Sequence, residues 1–173
     1  MHNAHLAIAQ TAMQSLGLAK VLWIPTGKPG YRKPPVASLF DRLAMLGLAV
    51  KDHEDFAIDS RELAPGASAY TIDTLAGLRA ERPDDELYLL LGADQHANFH
   101  RWHRPAEVKR LARIAVFTRP GYSVDSAGAI VVPMSPLAIS ASDIRARAAR
   151  GESLAGLVPA AVARYIAENG LYR

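Results

Sequence analysis

Cysteine is absent from the 173 residues. That excludes a disulfide framework, a thiolate nucleophile and a cysteine-ligated zinc site. Long apolar runs are missing too. A run such as Leu87-Tyr88-Leu89-Leu90-Leu91 falls far short of the ~20 residues that a membrane-spanning helix needs. The opening residues, Met1-His2-Asn3-Ala4-His5, lack the basic and apolar regions of a secretory signal, so a soluble cytoplasmic protein is expected. An excess of one charge is also small: Lys and Arg number 20 against 17 for Asp and Glu, a formal net charge of +3. That balance suits an anionic ligand but does not argue for a nucleic-acid binder or a membrane partner. Internal repeats and low-complexity segments are likewise not found.

What is present can build a core. Hydrophobic residues make up 50% of the chain and charged residues 21%, a balance that excludes disorder as the reading. The length is that of one globular domain, and residues 1–173 are expected to form a single one.

Apolar residues recur at helical spacing from Asn3 to Leu16, and Gly17 supplies a stop. Val21-Leu22-Trp23-Ile24, closed by Pro25, reads as a buried strand, followed by a Gly-, Pro- and cation-rich loop over 26–35. Ser38 opens a second helix through Leu48, and 53–58 is a candidate strand. Helix is expected over 71–82, strand over 86–91, helix over 105–111, and strands over 114–117 and 130–132. Two last helices are expected over 142–150 and 159–168. Helices alternating with strands that are apolar on both faces imply a parallel sheet covered on both sides, a doubly wound α/β domain. In such folds ligands bind beyond the carboxyl ends of strands, which points to the segments after Ile24, Leu91 and Val132. One feature departs from the pattern: the chain opens with a helix where a doubly wound fold normally begins with a strand.

Five groups of residues could carry chemistry. His2 and His5 share a face at the start of a helix, where imidazoles and free amides can meet phosphate oxygens; solvated histidines on a frayed end are the alternative. The loop carries Lys28, Arg32 and Lys33 but lacks the Gly-Lys-Ser/Thr ending of a P-loop, and an exposed turn is equally consistent with it. Gly92-Ala93-Asp94 permits close backbone approach and offers an acceptor for ribose hydroxyls, or is an ordinary turn in which Asp94 caps a helix. His96, His100 and His103 form an H-x-x-x-H-x-x-H pattern that a metal could use, with His96 and His100 on one helical face; Arg101 and Arg104 oppose that reading. Trp102 could offer a flat face to an aromatic ring. Ser140, Ser142 and Arg145 bring hydroxyls, amides and a guanidinium to one helix start, a phosphate-binding arrangement whose alternative is a plain N-cap.

Taken in order, these segments resemble the bacterial nicotinate-nucleotide adenylyltransferases of the H-x-G-H nucleotidylyltransferase superfamily. His2-Asn3-Ala4-His5-Leu6 is similar to the family's H-x-G-H-L, with Ala4 in place of glycine. Residues 24–33 resemble its I-P-x-x-x-P-x-x-[KR] loop, and Ala69-Tyr70-Thr71-Ile72-Asp73-Thr74-Leu75 its S-Y-T-x-x-T-L. Leu91-Gly92-Ala93-Asp94 with Trp102, Arg119-Pro120-Gly121-Tyr122, and Ile139 to Arg145 resemble its G-x-D plus tryptophan, R-P-G-Y and I-S-[AS]-[ST]-x-I-R. The tail from Leu157-Val158-Pro159 to Gly170-Leu171-Tyr172 is also similar.

The resemblance implies a Rossmann-like nucleotidylyltransferase fold and transfer of an adenylyl group from ATP to nicotinate mononucleotide, with Mg²⁺ accompanying ATP. It implies that His2 and His5 bind the triphosphate and its transition state. Ser140, Ser142 and Arg145 would hold phosphates, and Arg32 with Lys33 would add charge. Gly92 and Asp94 would contact the nucleotide, while Tyr70, Thr71, Trp102 and the His103 backbone would take the nicotinate ring. Helices from about residue 140 would complete the ATP site, and no protein-bound metal is implied. Homo-oligomer formation is left open. The family's opening strand and G-G-[TS]-F-D-P loop have no counterpart here, so the sheet is expected with its first strand missing and Met1 is not expected to be the natural start. Two alternatives remain at this level: a pantetheine-phosphate-type adenylyltransferase, and a non-catalytic nucleotide-binding protein. Tyr70-Thr71 and Trp102 favour the nicotinate reading.

Overall fold

In the computed structural model, which describes residues 1–27, 36–118, 128–135 and 137–173, helices and strands alternate along the chain. The first elements are α1 (Asn3–Leu16), β1 (Val21–Trp23), α2 (Leu39–Val50) and β2 (Phe56–Ile58). Then come α3 (Thr71–Glu81), β3 (Tyr88–Gly92), α4 (Ala93–Ala97), α5 (Pro105–Leu111), β4 (Arg113–Thr118) and β5 (Ala129–Pro133). The last helices are α6 (Ala141–Ala149) and α7 (Ala160–Glu168). Every strand pairing is parallel, in two sheets of order β1-β2 and β3-β4-β5 among the described residues. None of the described helices is long and apolar enough to cross a membrane.

The backbone divides into two compact units. One comprises Met1–Ala64 and Leu137–Arg173, the other Pro65–Pro136. In the first, α1 ends where Gly17 turns into left-handed backbone (φ 64°), its N–H returning to the Met13 carbonyl. A glycine adopts that conformation without the steric cost a Cβ would add. Ser38 caps α2, accepting from the Asp41 N–H at 3.1 Å. The core of this unit joins Ala4 of α1, Met45, Leu46, Ala49 and Val50 of α2, Ile144 and Ala148 of α6, and Val162 and Ile166 of α7. The C-terminal segment is thus built into the same core as the first helix. A hydrogen bond from Tyr165 Oη to Asp41 Oδ1 (3.0 Å) adds a polar tie between α7 and α2.

In the second unit β4 is the central strand. Ile114, Ala115, Val116 and Phe117 are buried in succession, the signature of a strand covered on both faces. Leu91 lies opposite Val116, and Val116 opposite Val131, so the three strands run in register. Ile72 and Leu75 of α3 and Val108 of α5 pack onto this sheet.

The sequence reading agrees in element type and order, but the ends differ: β2 and β3 are shorter than expected, while β4 (Arg113–Thr118), β5 (Ala129–Pro133) and the end of α2 (Val50) run further. β2 starts at Phe56 rather than 53 because the chain first closes a turn, the Phe56 N–H donating to the His53 carbonyl at 3.1 Å. β3 starts at Tyr88, where it comes opposite Arg113, the first residue of β4. Helix α4 and the 3₁₀ turns at Arg61–Leu63 and Phe99–Arg101 were not anticipated as elements. Lys28, Arg32, Lys33 and the Arg119-Pro120-Gly121-Tyr122 motif lie outside the described residues.

Candidate active site

His2 occupies the N-cap of α1, with its ring buried. His5, one turn on, stacks its ring on that of His2 with centroids 3.8 Å apart and an interplanar angle of 19°. The expected shared face is therefore realised as a stacked pair. The backbone amides nearby are partly committed: the Asn3 N–H donates to the Leu157 carbonyl at 2.9 Å, and the Asn3 side chain to the Gly156 carbonyl at 2.9 Å. These contacts pin the start of α1 to the segment that leads into α7. Burial lowers the His5 pKa from 6.5 to about 4, with the N-terminal ammonium adding to the effect. One side of His5 stays open to solvent. At neutral pH both effects favour an uncharged His5 ring.

Helix α6 begins at a capped turn. The Ser140 side chain accepts from the Asp143 N–H at 3.1 Å, and its Oγ sits 3.0 Å from Ser142 Oγ. Ser140, not Ser142, is therefore the cap. Buried Ile144 anchors the helix in the core. That anchoring leaves Arg145 on the cleft side, with no ion pair or hydrogen bond among the described residues.

These groups border a cleft of about 420 Å³ that also takes in Trp23, Arg42 and Tyr172. Among the described residues, no Asp or Glu lines it. His2, His5 and Arg145 thus come together, while Ser140 and Ser142 stand at the helix start without lining the cleft. Arg42 was missed. Its guanidinium donates to the carbonyls of Thr26 (2.8 Å) and Gly27 (3.4 Å), just past β1. Gly27 is tightly placed, since a Cβ there would lie 2.4 Å from the Glu62 carbonyl oxygen. A signal existed: Arg42 falls on the helical stripe of buried Met45, Leu46 and Ala49, where a cation is out of pattern.

The other unit holds the remaining candidates. Gly92 ends β3 and serves as N-cap of α4, so Asp94 does not cap that helix. A Cβ on Gly92 would lie 2.8 Å from Asp94 Oδ1, so the glycine leaves room for that carboxylate. Tyr70 is the N-cap of α3, directly before Thr71, and its ring meets that of His103 at 4.4 Å between centroids. Trp102 packs against Phe99, their centroids 5.3 Å apart. The metal reading of His96, His100 and His103 meets a correction. Helix α4 ends at Ala97, so His96 and His100 do not share one helix face. His96 stacks by Phe99, His103 by Tyr70, and no group of three potential metal ligands converges among the described residues.

The cytidylyltransferase-like family model matches residues 1–147. The "Probable nicotinate-nucleotide adenylyltransferase" of Bordetella petrii is 43% identical, over 100% of this chain and 93% of its own length. A protein of the same name from Thermomicrobium roseum is 37% identical, over 100% of this chain and 86% of its own. Among solved structures, Plasmodium falciparum nicotinic acid mononucleotide adenylyltransferase complexed with NaAD superposes with a TM-score of 0.80. That match covers 99% of this chain and 91% of the other at 14% identity, a likeness of fold. With the family model over most of its length and relatives aligned over all of this chain, the chain belongs to the cytidylyltransferase-like family, among its nicotinate-nucleotide adenylyltransferases.

Proposed function

We propose that this protein joins ATP and nicotinate mononucleotide to give nicotinate adenine dinucleotide and pyrophosphate, a cytoplasmic step of NAD biosynthesis. A phosphate oxygen of the mononucleotide attacks the α-phosphorus of ATP. The bond from that phosphorus to the β-phosphate bridging oxygen breaks, and pyrophosphate leaves. No covalent enzyme intermediate is needed, so the protein's work is positioning and neutralisation of charge. The observation that carries this reading is the cleft in which a histidine pair and Arg145 come together, with no Asp or Glu among the described residues that line it.

In this reading the chain acts as one nucleotidylyltransferase domain whose ATP site is completed by the helices from Ala141 onward. His2, His5 and Arg145 meet the phosphates, Ser140 and Ser142 donate hydroxyls, and Arg32 and Lys33 add charge. An anion beside His5 opposes its lowered pKa and favours the protonated ring. Gly92 and Asp94 take the nucleotide. Tyr70, Thr71, Trp102 and the His103 backbone take the pyridine ring and its carboxylate. Mg²⁺ would enter with ATP, held by phosphate oxygens and water, since no Asp or Glu among the described residues lines the cleft.

The test is substrate choice. A carboxylate accepts from backbone N–H groups near Thr71 and His103, whereas an amide turns donors toward donors. Such a mismatch costs several powers of ten in kcat/KM. Equal kcat/KM on nicotinate and nicotinamide mononucleotides in the full-length protein would overturn the nicotinate assignment.

A further inference from the structure

After α7 the chain turns twice through left-handed backbone, at Gly170 (φ 59°) and at Tyr172 (φ 69°). For glycine that is unremarkable. An aromatic L-residue at such a φ is an outlier that the surrounding structure must hold in place. The turn is fastened by the Leu171 N–H, which donates to the Ile166 carbonyl at 3.0 Å. Its result is that the Tyr172 ring packs against the core of its unit while the residue lines the cleft beside His2, His5 and Arg145.

The hydroxyl has no hydrogen-bond partner among the described residues. Its charged surroundings are Arg145, Asp41 and Arg42. Asp41 is already engaged, accepting from Ser38 Oγ and from Tyr165 Oη, and the two arginines offer no acceptor. Burial raises the phenol above its ordinary value, so it stays protonated and can donate at neutral pH. A half-buried donor without an acceptor, in a cleft whose charged walls are cationic, lacks an anion.

We propose that Tyr172 is a ligand-contacting residue whose hydroxyl donates a hydrogen bond to a phosphate oxygen of the triphosphate held beside Arg145. This rests on the adenylyltransferase reading only in naming ATP as the source of that phosphate.

The test is Tyr172→Phe in the full-length protein. The variant keeps the ring, its packing and the backbone, and removes one donor. A hydrogen bond to a charged oxygen is worth about tenfold in affinity or more. The dissociation constants of ATP and of inorganic triphosphate should therefore both rise about tenfold. KM for ATP should rise with them, while KM for the mononucleotide and the melting temperature hold. Unchanged binding of both probes overturns the proposal, as does a lowered melting temperature with unchanged binding, the mark of a packing role alone. Weakened ATP with unchanged triphosphate overturns the phosphate contact by placing the hydroxyl on the adenosine. If the wild-type protein binds both probes but forms no dinucleotide, the adenylyltransferase reading fails while the Tyr172 contact stands or falls on its own binding data.

Discussion

Ser140 and Ser142 are two residues apart at the start of α6, and the structure gives them different work. Ser140→Ala removes the oxygen that accepts the Asp143 N–H at 3.1 Å. Losing such a cap costs about 1 kcal/mol. For a chain of this length that lowers the melting temperature by about 2–4 °C. Ser142→Ala removes only an exposed hydroxyl that meets Ser140 Oγ at 3.0 Å, and alanine is the better helix former by a few tenths of a kcal/mol. Its melting temperature should stay level or rise slightly. Toward ATP the two should behave alike, since each proposed hydroxyl contact to a phosphate is worth about tenfold in affinity. Calorimetric melting without nucleotide, paired with an ATP titration, separates the two roles. An equal loss of stability in both variants, or none in Ser140→Ala, would refute the assignment of Ser140 as the cap. Unchanged ATP affinity in both would remove the two hydroxyls from the site.

Three further outcomes are expected. His5→Ala and Arg145→Ala should each lower kcat by about 100-fold or more, as expected for groups that meet developing charge. His53→Ala, which loses stacking on Phe56, and His96→Ala should do much less, and equal losses in all four would break the role assignment. Gly27→Ala forces a Cβ to 2.4 Å from the Glu62 carbonyl oxygen and disturbs the carbonyls that hold Arg42. It should cost about 1–3 kcal/mol in a denaturant melt, and a wild-type midpoint would show that the backbone yields freely there. The pH dependence of stability should carry a His5 component. With the folded pKa lowered from 6.5 to about 4, the unfolded chain takes up that proton first as pH falls. The stability it contributes is complete above about 6.5 and is lost toward 4, so His5→Gln should flatten the curve in that window; an unchanged slope would contradict the burial argument.

The elements were readable wherever a local period and a local stop coincide. Helix α1 runs over the residues that its apolar spacing suggests because Gly17 supplies the left-handed cap that ends it. Helix α5 starts at Pro105, which presets φ for a first turn. Reading failed where an element is too short to show a period. Helix α4 spans five residues, less than two turns, and the pattern of histidines through it looked like one helix face when it is a helix followed by a 3₁₀ turn. Strand pairing was also beyond the sequence. A run such as Ile114-Ala115-Val116-Phe117 announces burial on both faces, but nothing in it names its neighbours. That β1 pairs with β2 while β3, β4 and β5 form their own sheet is a property of contacts far apart in sequence.

The same division runs through the site. His2, His5 and Arg145 were legible because each belongs to a short motif at a helix start, where free amides and the helix dipole give histidine or arginine a reason to be there. Arg42 and Tyr172 are held by tertiary geometry instead. The first reaches across from α2 to the backbone after β1, and the second enters the cleft only through a left-handed turn past α7. The second depends on the return of Leu137–Arg173 to the unit built from Met1–Ala64. One measure of that return is the Tyr165–Asp41 hydrogen bond, which joins residues 124 positions apart. A motif can place a donor on a helix, but the cleft is formed where the end of the chain meets its beginning. Its cationic lining of Arg42 and Arg145 is therefore a property of the fold that neither terminal segment carries alone.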